Sequence, residues 1–230
     1  MEQSDDSLRG FVVVCVVVLV VVLVVRAIRR ARRLERERQQ RLADWARHHD
    51  WTYAYRPAAE STWSARLPGR SRRGVSVVLS GMADGYPVTV AEYSYVTSST
   101  GTDASGRTTS SETTHRLIVA VVRRGQAFPP VEVAPRSAVS RFTRSMFGEG
   151  QIATGDSEFD RRFRIKSPEP GTARALVGQA LISAHLAERV PGWSLYGEEL
   201  MTCQQGVLRG PEGVAPLLNP LLEVARLLRR

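Results

Sequence analysis

The sequence predicts an α+β protein: a single N-terminal transmembrane helix, then an antiparallel sheet packed with amphipathic helices. Three observations carry this expectation. Phe11–Val25, FVVVCVVVLVVVLVV, has no polar side chain other than Cys15. Val75–Ala83 and Tyr86–Val96 are strand-forming runs joined by Asp84-Gly85, a hairpin turn signal. Thr172–Arg189 and Gly213–Arg230 place apolar residues at helical spacing.

The apolar run comes first. With Gly10 before it and Ala27-Ile28 behind, it reaches about 19 residues, or ~28 Å at ~1.5 Å per residue, close to the ~30 Å hydrocarbon core. A lone strand cannot cross lipid, because its backbone groups would have no partners, whereas a helix satisfies them internally. Arg26 sits near the end, where it can snorkel to the headgroups. Residues 1–9 form a short tail that is net negative, with Glu2, Asp5 and Asp6 against Arg9. A signal peptide wants a positive start and a small-residue cleavage site, and neither is present. The expected transmembrane helix is therefore residues 10–28, uncleaved.

Charge sets its orientation. The chain carries +9 overall. Arg26, Arg29, Arg30, Arg32, Arg33, Arg36, Arg38 and Arg41 follow the run, and only Arg9 precedes it. The positive-inside rule then puts the N-terminus outside and the domain in the cytoplasm, a single-pass protein of the plasma membrane. The bilayer and its anionic headgroups are the expected partners of the collar, chiefly of Arg26, Arg29, Arg30, Arg32 and Arg33. Nucleic acid is disfavoured: Lys166 is the only lysine, and no helix-turn-helix or stacking platform is legible. The two cysteines, Cys15 and Cys203, offer neither a disulfide framework nor zinc spacing. No cofactor is expected.

Residues 29–50 read as a basic juxtamembrane helix and linker. Arg33/Glu37 and Glu37/Arg41 are i,i+4 pairs. The apolar stripe breaks between Leu34 and Leu42, which favours a solvated connector over a self-associating stalk. His48 and His49 mark its end. The rest, 51–230, reads as one α+β domain of sufficient length for a real core. Trp51, Tyr53 and Tyr55 alternate as a strand, and Arg66–Gly74 is a basic loop. After the 75–96 hairpin comes Thr97–Thr114, TSSTGTDASGRTTSSETT, expected as a flexible loop because its residues, all small, polar or charged, cannot bury enough area to order it. Its two readings are a spacer and a phosphorylation site. Strands follow at Thr114–Arg124 and Val131–Val133, a short helix at Ser137–Phe147, and a half-exposed strand in Thr154–Ser167. Thr172–Arg189 is expected as one helix capped by Thr172. Trp193–Tyr196 and Leu200–Gln204 suggest a hairpin around Gly197-Glu198. The last helix closes the chain.

Several blocks recur together: Trp45 with Trp51–Tyr53; Gly81 with PVTVAEYSY at Pro87–Tyr95; His115-Arg116; GDSEFDRRFRI at Gly155–Ile165; and GWSLYGEEL at Gly192–Leu200. In their order the chain resembles a family of uncharacterised actinobacterial membrane-anchored proteins over most of residues 40–230. The resemblance implies a bacterial membrane protein with a cytoplasmic α+β domain. It brings no catalytic or binding residues with it.

The sequence lacks phosphate-binding glycine loops, a G-x-S-x-G elbow and H-E-x-x-H. The nearest approach to a catalytic set is Asp156, Glu158 and Asp160 with His115, acids and a base suited to holding a cation or moving protons. Arg161, Arg162 and Arg164 follow at once, so an ion-paired turn is the simpler reading. Two functions stand: a binding or scaffolding module under the inner membrane face with an unidentified protein partner, and, as the alternative, a membrane-tethered enzyme using those acids and His115. An enzyme requires these groups to converge in a concave site.

Overall fold

In the computed structural model the described residues are 2–57, 62–69, 71–102, 108–136 and 151–228; the side chains of residues 2–17, 71, 72 and 102 are excepted. The expected helix at Ser137–Phe147 lies outside them. Two compact units divide the chain, residues 1–44 and Trp45–Arg230.

The first unit is the bulk of one long helix, α1, Glu2–His48. The valines and leucines from Val18 to Val25 are exposed on it, Leu19 by 58%. Among the described residues no helix is long and apolar enough to cross a membrane; the side chains of Phe11–Val17, the first part of the apolar run, lie outside that description. The collar arginines are exposed from Arg26 to Arg36. Arg33 Nε donates to Glu37 at 2.8 Å, and Arg38 reaches Glu35 at 2.7 Å.

The second unit is α+β, built on one six-stranded antiparallel sheet. Its strands are β1 (Thr52–Tyr55), β2 (Ser71–Ala83), β3 (Tyr86–Thr102), β4 (Thr108–Pro135), β5 (Phe163–Lys166) and β6 (Trp193–Gln205). The order runs β1-β2-β3-β4-β5, with β6 also paired to β4. The hairpin signal holds: Ala83 pairs with Tyr86 across Asp84 and Gly85, which both take positive φ, 51° and 76°. That is the primed turn whose twist suits a two-residue hairpin. Close approach explains Gly81. A Cβ there would lie 2.4 Å from the Trp51 ring, so glycine lets that indole pack on the strand.

Strand alternation sorts the core into two faces. On one, Ala91, Tyr93, Tyr95, Leu117, Val119, Val121 and Met201 pack with Trp63 and Leu67 of the 62–69 segment. On the other lie Val88, Val90, Ala120, Val122 and Leu200, all buried. Helix α5 (Val214–Leu227) packs on β4 and β6 with Leu217, Leu218, Leu221 and Leu222 inward. Tyr86 of β3 donates through Oη to Ala225 O of α5 at 3.4 Å.

Four expectations need correcting. The Ser/Thr stretch is not a loop throughout: Thr97–Thr102 and Thr108–Thr114 pair as a two-stranded ribbon from Thr97↔Thr113 to Thr102↔Thr108. Cross-strand hydroxyls, such as Ser99 to Ser111 at 2.7 Å, tie its rungs where apolar packing is missing. The strand read through 154–162 is instead a short helix, α2 (Ser157–Arg162), with alternation valid only from Phe163. The single 172–189 helix is two, α3 (Pro170–Leu176) and α4 (Gln179–Leu186), and its start belongs to Glu169 and Pro170 rather than Thr172. The break falls at Val177-Gly178, where a helix-interior glycine costs ~1 kcal/mol, and the Gly178 carbonyl restarts the chain by accepting from Leu181 and Ile182 N–H. Finally, Trp193–Gln205 is one bent strand. Gly197, at φ 56°, absorbs the bend where the β4 register shifts between Arg123, Phe128 and Val131.

Candidate functional site

The acidic cluster forms from the turn before α2. Asp156 is the N-cap of that helix: its carboxylate accepts from Glu158 N–H (3.1 Å) and Phe159 N–H (3.0 Å). This satisfies helix donors that have no backbone partner. Asp160 turns back on the same loop and accepts from Thr154 N–H (3.0 Å), Thr154 Oγ1 (2.9 Å) and Gly155 N–H (3.2 Å). Burial by itself raises its pKa, but the bonds from Thr154 and Gly155, helped by Arg136, outweigh that and leave the carboxyl below the usual range. Glu158 faces Arg162 at 3.8 Å. All three acids thus have local structural partners, and Asp160 is held as the anion.

His115 lies elsewhere. It sits on β4 where the Ser/Thr ribbon begins, its Nε2 2.9 Å from Thr97 Oγ1 and its ring stacked on Tyr95 at 4.7 Å. The acids adjoin the other end of β4, where Arg136 donates to Asp160 O at 2.6 Å. Between these two places β6 pairs with β4 from Leu117↔Gln205 to Val133↔Trp193, roughly 30–40 Å of strand at ~3.3 Å per residue. The structure does not bring His115 to Asp156 or Asp160. No group of three or more metal-ligating side chains converges among the described residues.

The more constrained polar group of the domain escaped the sequence reading. Arg66 and Glu199 form a buried ion pair under the 62–69 segment; both are at least nine-tenths buried. Thr62 Oγ1 donates to the same carboxylate at 2.6 Å, and Arg123 lies 3.7 Å from it. The Arg66 guanidinium also lies 5.2 Å from the Tyr196 ring centre. Burial lowers the Arg66 pKa, against the pull of Glu199. Neighbouring Cys203 is pushed up to about 12 by burial, a pull that Arg66 opposes, so its thiol is protonated at neutral pH and a poor nucleophile. This group clamps a loop to a sheet. A second buried carboxylate, Glu92, accepts from Leu208 N–H at 2.7 Å and from Ser76 Oγ at 3.2 Å, which holds the approach to α5. Nothing in the sequence distance, 133 residues for Arg66 and Glu199, marks these pairs.

His185 on α4 is a further buried polar side chain. Its Nε2 accepts from Trp193 Nε1 at 3.0 Å, and Phe159 and Phe163 pack on its ring. Nδ1 has no partner. Burial depresses its pKa from 6.5 to about 4, so it is neutral and serves as an acceptor joining α4 to β6.

No family model matches the chain, and no curated protein matches it. Among solved structures, the crystal structure of the mycobacterial trehalose monomycolate transport factor A, TtfA, is similar. It is 14% identical, with 83% of this chain and 94% of that chain covered and a TM-score of 0.53. At that identity the likeness shows the fold alone.

Proposed function

We propose that this chain is a membrane-anchored, non-catalytic binding or scaffolding module of a bacterial lipid-transport system. On this reading residues 10–28 cross the plasma membrane once, with the N-terminus outside, and the α+β domain is held at the inner face. One observation carries it: the apolar run Phe11–Val25 passes without a break into the arginine collar within one helix, and its described side chains are exposed rather than packed. Exposed apolar surface of this extent on a helix calls for lipid or a protein partner. The collar supplies the orientation. The structural neighbour is a transport factor for trehalose monomycolate, which supports the lipid-transport part of the proposal. The kinship with uncharacterised actinobacterial membrane-anchored proteins belongs to the same proposal, and the neighbour's mycobacterial origin agrees with it. The buried charges of Arg66, Glu199 and Glu92 are committed to structure, which supports a module over an enzyme.

Alkaline carbonate extraction tests the anchor. The full chain is expected to stay in the membrane pellet, and a chain lacking residues 1–28 to leave it. Release of the full chain would overturn the anchor. For the transport role, deleting the gene in its host is expected to shift a glycolipid between the inner membrane and the outer envelope. An unchanged distribution would overturn that part.

A further inference from the structure

The collar is not evenly basic around the helix. At ~100° per residue, Arg26, Arg29, Arg30 and Arg33 fall within one ~100° arc, whereas Arg32 projects nearly opposite to Arg30. Within the arc the four i,i+3 and i,i+4 pairs, 26/29, 30/33, 26/30 and 29/33, each set arginine against arginine. Such like-charge pairs destabilise a helix. Of the four, Arg33 alone has an acidic partner among the described residues, Glu37, and Glu35 is taken up by Arg38 and Gln39. The side chains of the arc frame two shallow recesses. One is lined by Arg26, Ala27, Arg29 and Arg30, the next by Arg29, Arg30, Arg33, Leu34 and Glu37. They are offset by about one turn, ~5.4 Å, and share Arg29 and Arg30.

We propose that this arc is a headgroup site for an anionic phospholipid carrying two phosphates, one phosphate per recess, with the shared Arg29 and Arg30 between them. The inference rests on the membrane-anchor reading above, because the arc begins where the apolar run ends and so lies at headgroup depth. Charge complementarity selects the occupant: three guanidinia border each recess, with Arg29 and Arg30 common to both; Glu37, at the far border of the second, is paired with Arg33, and binding relieves the repulsion that remains along the arc. A guanidinium presents a planar fork to phosphate oxygens and keeps its charge throughout. A lipid with a single phosphate fills one recess and leaves the other unrelieved.

The test uses the full chain reconstituted in phosphatidylcholine vesicles containing either diphosphatidylglycerol or phosphatidylglycerol at equal phosphate content. Sucrose flotation reads incorporation. Native mass spectrometry of the chain released into mild detergent reads retained lipid. The expected result is preferential retention of the two-phosphate lipid, reduced about fivefold by Arg30→Gln and little changed by Arg32→Gln. These two positions differ in depth by only ~3 Å. Equal retention of both lipids by the unaltered chain, or equal losses in the two variants, would overturn the headgroup site while leaving the anchor intact. Failure to float with vesicles of any composition would overturn the anchor reading itself.

Discussion

Acidification should loosen this domain through one residue, His185. Folded, its pKa is about 4; in the unfolded chain it returns to 6.5. At pH 7 both states are neutral and the residue is silent. As pH falls below 6.5 the unfolded chain binds a proton that the folded one refuses, so stability drops across the window from 6.5 to about 4. Each pKa unit of difference corresponds to ~1.36 kcal/mol, which gives a loss of about 2 kcal/mol by pH 5 and about 3 kcal/mol by pH 4. The window is separable from the carboxylates' contribution. Asp160, with its pKa held below 3.8, loses its stabilising effect only as pH falls beneath that value. The assay is urea unfolding of the full chain in detergent micelles at pH 7, 6, 5 and 4.5, followed by tryptophan fluorescence. The companion variant is His185→Gln, whose side-chain oxygen can accept from Trp193 Nε1 but takes no proton. It should flatten the profile between pH 7 and 5. If unaltered chain and variant lose stability in parallel over that range, the imidazole does not titrate as its buried setting requires, and the reasoning fails.

Three further outcomes follow from the same structure. Arg66→Ala should cost at most about 3–5 kcal/mol in the same unfolding assay, because it leaves the buried Glu199 carboxylate to Thr62 and the exposed Arg123, whereas Arg66→Met with Glu199→Leu should recover most of that loss. In a Cys15→Ser background, Cys203 should alkylate with iodoacetamide ~1000-fold more slowly in the folded chain than in urea at pH 8, as a thiol pushed from 9.0 to about 12 requires; comparable rates would place the thiol outside the core. Changing Arg26, Arg29, Arg30, Arg32 and Arg33 together to Gln should leave the chain in the membrane but mix its topology, whereas changing Arg36, Arg38 and Arg41 should not; protease accessibility in sealed inverted vesicles distinguishes the two.

Much of the fold was legible because it rests on short-range chemistry. Asp84-Gly85 forces a primed turn wherever it falls between two strands, and the alternation of Ala91, Tyr93 and Tyr95 needs only period two. The missed features depend on partners far away. Thr97–Thr102 and Thr108–Thr114 have no apolar residue to bury, yet strands β3 and β4 carry them as a ribbon because their pairing is already fixed beside them. Alternation across Arg161–Lys166 suggested a longer strand, but the Asp156 cap and the Asp160 clamp made a helix of its first half. The site was less legible than the fold. A run of acids close to a basic strand looks the same in sequence whether it caps a turn or binds a cation; the bonds of Asp156 and Asp160 to the turn's own backbone separate the two, and the position of His115, far along β4, breaks up the catalytic set. The Arg66–Glu199 clamp had no local signature at all.

Strand β4 borders β3 and β5 along one edge and β6 along the other, so the sheet is completed only when the last of them is made. The β2–β3–β4 meander is synthesised through Pro135, but β6 begins at Trp193. At ~5–20 residues per second the chain needs roughly 3–12 s to cover that gap. Throughout it, Leu117–Val133 presents an unsatisfied row of backbone donors and acceptors, flanked by valines, to its surroundings. Truncation anywhere before Trp193 would make the open edge permanent, and an edge of that kind recruits strands from other chains.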